Sequence, residues 1–185
     1  MNFPSDQHTP SPFSVVVLIS GSGSNLQALI KSASEGGYRI AAVFSNKADA
    51  FGLTRAKEAG IPTAVLSHLA YANREEFDSA LTRIIDNFRP RLVVLAGFMR
   101  ILSSAFVSHY AGRLINIHPS LLPDFPGINT HQRALDANVT RHGASVHFVT
   151  EELDGGPVIA RHSIPVVPAD TPESLAARVL EQEHR

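Results

Sequence analysis

Two observations predict an α/β fold with a doubly wound, mainly parallel sheet and helices on both faces. Short β-branched runs alternate with stretches of helical periodicity along the chain. Those runs are apolar at successive positions rather than at every second one, which is the pattern of strands covered on both sides. The 185 residues suffice for one well-buried core. No repeat, low-complexity block or linker interrupts the chain after residue 14, so a single domain is expected over residues 15–185. Residues 1–14, MNFPSDQHTPSPFS, have neither the basic start nor the apolar stretch of a secretory signal and are expected to be a flexible extension.

Strands are expected at 15–20, 40–45, 63–66, 91–96, 114–118 and 145–149. The first is followed by Ser20-Gly21-Ser22-Gly23-Ser24-Asn25, which opens a helix through 26–30. The third helical segment is the clearest. Asn73 can cap it with Glu76 three residues on, and Phe77, Leu81, Ile84, Ile85 and Phe88 make one apolar stripe before Pro90 ends it. Thr171-Pro172 places a capping hydroxyl before a proline at the first helical position, so a last helix should run toward Arg185 without a stop signal. Ligands of such folds gather at the carboxyl ends of the strands.

Composition removes several function classes. Sixteen Lys and Arg balance 17 Asp and Glu, leaving no basic excess for a polyanion, so nucleic acid is not an expected partner. Zero Cys excludes disulfides, thiol nucleophiles and Cys-ligated metals, and suits a reducing compartment, so a cytoplasmic location is expected. The longest apolar runs, 15–19 and 92–96, are far below the roughly 18–20 residues that span a bilayer, so no membrane partner is expected. His8, His68, His109, His131, His142, His147, His162 and His184 show no zinc spacing, and no metal is expected. No Gly-x-Ser-x-Gly elbow occurs.

The glycine-rich turn can aim backbone amides at one point, where the helix N-terminus adds partial positive charge, so a phosphate fits there. The dinucleotide fingerprint fails because Leu26 stands at the third glycine position and Ser45-Asn46 replaces the acid after the second strand. A P-loop fails for want of Gly-Lys-Ser or Gly-Lys-Thr. Asn116 and His118 share one face of the fifth strand by its period of two. An amide N–H can hold charge developing on a carbonyl oxygen, and an imidazole can move the protons of the same attack. Taken alone, such an Asn-x-His is more often a structural pair. Asp154, in Leu153-Asp154-Gly155-Gly156-Pro157, lies beyond another strand end and could orient the imidazole, although Asp-Gly is also an ordinary turn. Arg74 and Arg100 could clamp a carboxylate or simply be solvated.

Five segments, VLISGSGSNLQ (17–27), FSNK (44–47), LAGFMRIL (95–102), NIHPSLLP (116–123) and SVHFVTEELDGGP (145–157), together resemble the glycinamide ribonucleotide formyltransferases, folate-dependent enzymes of purine synthesis. The resemblance implies that 10-formyltetrahydrofolate is the co-substrate and that its formyl group passes directly to the glycinamide amine of 5'-phosphoribosylglycinamide. It implies a catalytic set of Asn116, His118 and Asp154. Gly23, Ser24 and Asn25 would hold the substrate phosphate and Glu183 the ribose hydroxyls. Met99, Arg100, Ile101 and Leu102, with Thr150, Glu151, Glu152, Leu153 and Asp154, would line the folate pocket, and Arg74 would meet the glutamate tail. Leu180 departs from the family pattern, which often has Gln there and so a polar contact to the nucleotide. Family chains also continue further, so the C-terminus is expected to be truncated. The partners are then small molecules, and the protein a monomer or homodimer. A formyltetrahydrofolate hydrolase, with water in place of the amine, and a silent folate or nucleotide binder are the rival readings. Pro126-Gly127, within the loop 122–130, hints at a flexible lid.

Overall fold

The apolar runs pair side by side. A computed structural model describes residues 12–184. Its strands are β1 (Phe13–Ile19), β2 (Tyr38–Ser45), β3 (Thr63–Val65), β4 (Leu92–Leu95), β5 (Leu114–His118), β6 (Arg141–Phe148) and β7 (Val158–Pro165). They form one sheet in the order β3-β2-β1-β4-β5-β6-β7. All pairings from β3 to β5 are parallel, while β5–β6 and β6–β7 are antiparallel. The helices are α1 (Ser24–Ser32), α2 (Gly52–Glu58), α3 (Arg74–Asp86), α4 (Ser104–His109), α5 (Thr130–Asp136) and α6 (Pro172–Glu183).

Alternate residues of each central strand serve opposite faces, which is why these strands are apolar throughout. Val15, Val17 and Ile19 of β1 pack with Leu26 of α1 and with Leu53 and Ala56 of α2. Val16 and Leu18 pack on the other side with Phe77, Leu81 and Ile85 of α3 and Phe106 of α4. Each fully buried Leu, Ile or Phe among them contributes about 1.5–3 kcal/mol by leaving water. A smaller cluster of Ala144, Ile164, Leu175 and Val179 seats α6 on β6 and β7.

The α3 cap forms as its spacing requires, with Asn73 Oδ1 accepting the Glu76 N–H at 2.9 Å. The helix stops at Asp86, one turn before Pro90. At α6 the Thr171 hydroxyl and Ser174 close a reciprocal capping box, with Pro172 in the first turn.

Two boundaries differ from the sequence expectation. The sheet begins at Phe13, paired with Tyr38, and the next residue, Ser14, is buried, so positions 13 and 14 belong to β1 and not to an extension. Residues 1–11 of that expected extension lie outside the described residues. The strand expected at 145–149 starts earlier, at Arg141, and β7 was not foreseen at all. As an edge strand β7 buries only Ile164, so it has no apolar pattern to read. Among the described residues no helix is long and apolar enough to cross a membrane.

Candidate active site

The strand order reverses direction between β1 and β4, and it is at the carboxyl ends of the strands beside such a reversal that folds of this kind place their ligands. Ser20, just after β1, ties the rim together. Its backbone N–H donates to Gly97 O at 3.1 Å, its hydroxyl donates to Asn46 Oδ1 at 2.6 Å, and the same oxygen accepts the Met99 N–H at 2.8 Å. Ser45-Asn46, where a dinucleotide-binding fold would carry an acid, thus serves to brace the loop after β4.

Gly23 precedes α1 in a left-handed conformation with φ of 69°. A Cβ there would stand 2.5 Å from Gly52 Cα, so α1 and α2 approach closely only because the residue is glycine. No side chain caps α1 and its first turn holds no acid, which leaves its N-terminal amides available to an anion. Beside them Asn25 Nδ2 donates to Glu183 Oε2 at 2.7 Å. Two residues expected near the nucleotide, far apart in the chain, therefore meet. Leu180 lies half-buried on α6, the same helix as Glu183.

The polar cluster sits where the last residues of β5 pair with 145–147 of β6, against the turn carrying Asp154. In their antiparallel register Asn116 stands opposite His147 and His118 opposite Ser145. His118 Nδ1 lies 3.4 Å from Asp154 Oδ2, and His118 Nε2 donates to Phe125 O at 3.0 Å. Both neighbours of the ring are acceptors, so an imidazolium satisfies both of its N–H groups. Asp154 itself adopts φ of 52°, and its Oδ2 accepts the Gly127 N–H at 2.8 Å. Burial acts to raise the Asp154 pKa, but the contact with His147, the Gly127 amide and the charges of His118 and His147 outweigh it. The carboxyl is held below its ordinary value.

Asn116 does not touch Asp154 directly. His147 joins them. The side chain is almost wholly buried, with Nδ1 donating to Phe148 O at 2.9 Å and Nε2 facing both Asn116 Nδ2 at 3.2 Å and Asp154 Oδ1 at 3.6 Å. In the sequence His147 shows only the lack of zinc spacing it shares with the other histidines. The available signal was its alternation with Ser145, but only the strand register shows that it faces Asn116. Ser145 braces the loop after β5, its hydroxyl donating to Ser120 O at 2.7 Å and accepting the Leu122 N–H at 3.0 Å. The segment expected as a lid is tied down by Asp154 through Gly127, by His118 through Phe125, and by Ser120, whose hydroxyl donates to Asp124 O at 2.6 Å.

Met99 and Ile101 are 70% and 58% exposed, and Leu153, next to Asp154 in the chain, is 57% exposed. Arg100 and Leu102 are half-buried; Thr150, Glu151 and Glu152 are exposed. Arg74 is exposed at the start of α3. Among the described residues no group of three or more His, Asp or Glu is placed to hold a metal ion.

The family comparison gives the class of protein that carries this acid, imidazole and amide: the formyl transferase family matches residues 13–185, and the chain belongs to it. The phosphoribosylglycinamide formyltransferase of Escherichia coli is 58% identical over 172 residues, 92% of this chain and 81% of that one. The human trifunctional purine biosynthetic protein adenosine-3 is 51% identical over 173 residues, but these make up only 17% of its length. A solved structure of phosphoribosylglycinamide formyltransferase from Coxiella burnetii superposes with a TM-score of 0.90 at 55% identity, covering 94% of this chain and 82% of that one.

Proposed function

We infer that this chain is a phosphoribosylglycinamide formyltransferase, passing the formyl group of 10-formyltetrahydrofolate to the glycinamide amine of 5'-phosphoribosylglycinamide in purine synthesis. The observation that carries the catalytic assignment is the buried His118–Asp154 pair at 3.4 Å, with Asn116 fixed nearby by His147.

The amine attacks the formyl carbon, forming a C–N bond and a tetrahedral centre. Asn116 Nδ2 holds the oxyanion together with the His118 ring, whose Nε2–H exchanges Phe125 O for the substrate. As the bond from carbon to folate N10 breaks, the proton lost by the amine is delivered to N10 with His118 as the relay. Asp154 aims the imidazole and balances the positive charge it takes up during transfer, and no covalent enzyme intermediate is needed. One oxyanion donor is worth about 3–4 kcal/mol of barrier, and acid–base assistance about 10²–10⁴ in rate. The turn at Gly23, Ser24 and Asn25 holds the phosphate through backbone amides, with Glu183 beside it for the ribose hydroxyls. Met99 to Leu102 and Thr150 to Asp154 line the folate pocket, and Arg74 meets the glutamate tail.

The test mixes the protein with the nucleotide and 10-formyltetrahydrofolate and follows release of deformylated folate. Release that requires the nucleotide, with formylated nucleotide formed in equal amount, is the expected result. Release without nucleotide would make the chain a hydrolase, and binding of both ligands with no release would make it a silent binder.

A further inference from the structure

Asp78 lies on α3 one helical turn after Arg74, outside the polar cluster at the end of β5. It is 1% exposed, and an ionised carboxyl at such a depth is costly unless its partners compensate. The compensation is partial. Oδ2 accepts the Ser103 N–H at 2.5 Å, whereas Oδ1 is buried with no hydrogen-bond partner. Burial raises the Asp78 pKa, and the Ser103 hydrogen bonds and the charges of Arg74 and Arg100 oppose the rise without cancelling it.

Ser103 is the far end of the loop that carries Met99, Arg100, Ile101 and Leu102. It also caps α4, its hydroxyl accepting the Phe106 N–H at 3.4 Å. The near end of the loop is held by Ser20 through Met99 N–H. Between the two anchors the side chains of Met99 and Ile101 stand exposed. Arg100 lies over the ring of Phe77, the neighbour of Asp78 in the chain, at 5.8 Å, and its Nε is buried without a partner. Neither Arg74 nor Arg100 forms an ion pair with Asp78 among the described residues. One buried carboxyl thus sits within the field of two guanidinium groups and neutralises neither.

We propose that Asp78 is a positioning residue for the folate side of the site: through the Ser103 amide it fixes the loop 99–103. The proposal rests on the reading of those residues as folate-binding. Without its oxygen the loop loses its far anchor. Asp78→Asn keeps an oxygen for Ser103; Asp78→Ala removes it.

Steady-state kinetics with each substrate varied in turn makes the test. Asp78→Ala should raise KM for 10-formyltetrahydrofolate about tenfold, a loss on the scale of one charge-assisted contact. KM for the nucleotide and kcat at saturating folate should stay within about threefold, less than half a tenfold step in free energy. Asp78→Asn, which keeps an acceptor for the Ser103 amide, should fall between wild type and Asp78→Ala. An unchanged folate KM in a folded Asp78→Ala protein overturns the proposal, as does a rise in both KM values together. If Asp78→Ala does not fold, the Asn variant decides, since a folate KM equal to wild type, or a rise matched by the nucleotide KM, also overturns it. Should wild type fail to transfer the formyl group at all, the functional reading itself falls, and calorimetric titration of wild type and Asp78→Asn with the folate still tests the anchoring of the loop.

Discussion

Replacing Asp154 with Asn removes one negative charge and keeps an oxygen able to accept the Gly127 amide, so the turn should survive. The side chains of His118 and Asp154 are 6% and 9% exposed and lie 3.4 Å apart, so water screens them little. With an effective dielectric of about 20, the attraction of a charged pair at that distance is roughly 5 kcal/mol. Desolvation offsets part of it, leaving about 3–4 kcal/mol that stabilises the imidazolium during transfer. The expected outcome is a fall in kcat of about 10²–10³, at about 1.4 kcal/mol per tenfold. Folate affinity should stay within about threefold of wild type, because the charge acts on the reacting carbon and not on the pterin. Release of deformylated folate at saturating substrates measures the first quantity, and calorimetric titration of the folate the second. A variant turning over within tenfold of wild type, or one that loses folate binding in step with kcat, would refute the assignment of Asp154 as partner of the catalytic imidazole.

Three further outcomes follow from the same geometry. Asn116→Ala removes a donor and should cost about 10²–10³ in kcat with little change in either KM, as is typical when an oxyanion donor is lost; equal losses in KM would point to a binding role instead. Gly23→Ala places a Cβ 2.5 Å from Gly52 Cα at a φ of 69°. It should lower stability by about 1–3 kcal/mol and raise the nucleotide KM, which thermal melts and kinetics would show together. His142 is buried, and burial first, then the nearby charges of His131 and His118, push its pKa down to about 4. The unfolded chain binds that proton first, so stability is full above about pH 6.5, drains as pH falls toward about 4, and loses on the order of 3 kcal/mol in total. Urea midpoints at pH 7 and pH 4.5 should differ less in His142→Gln than in wild type; equal differences would contradict this.

Local signals were legible in the sequence and long-range ones were not. The caps at Asn73 and Thr171 need only neighbours within one turn, and both formed as their spacing dictates. The doubly covered strands announced themselves by continuous apolarity, and β7 stayed hidden because its outer face meets water. Asn116 and His118 could be placed on one face by the strand period alone. Asp154 could not, since its approach depends on the antiparallel return of β6 and a residue at positive φ in the turn beyond; its place past a strand end made it a candidate, and the family resemblance put it in the catalytic set. His147 was passed over for the same reason, because its partnership with Asn116 is a matter of register between two strands.

The antiparallel return of β6 also sets an order of events. A chain that has emerged only as far as β5 already holds the amide and the imidazole but lacks their acidic partner, which arrives after α5 and β6 are in place. Long-range pairings of this kind are slow to close. Turnover should therefore reappear after the helical signal when the protein is diluted from urea, making enzymatic rate a late marker of a finished sheet.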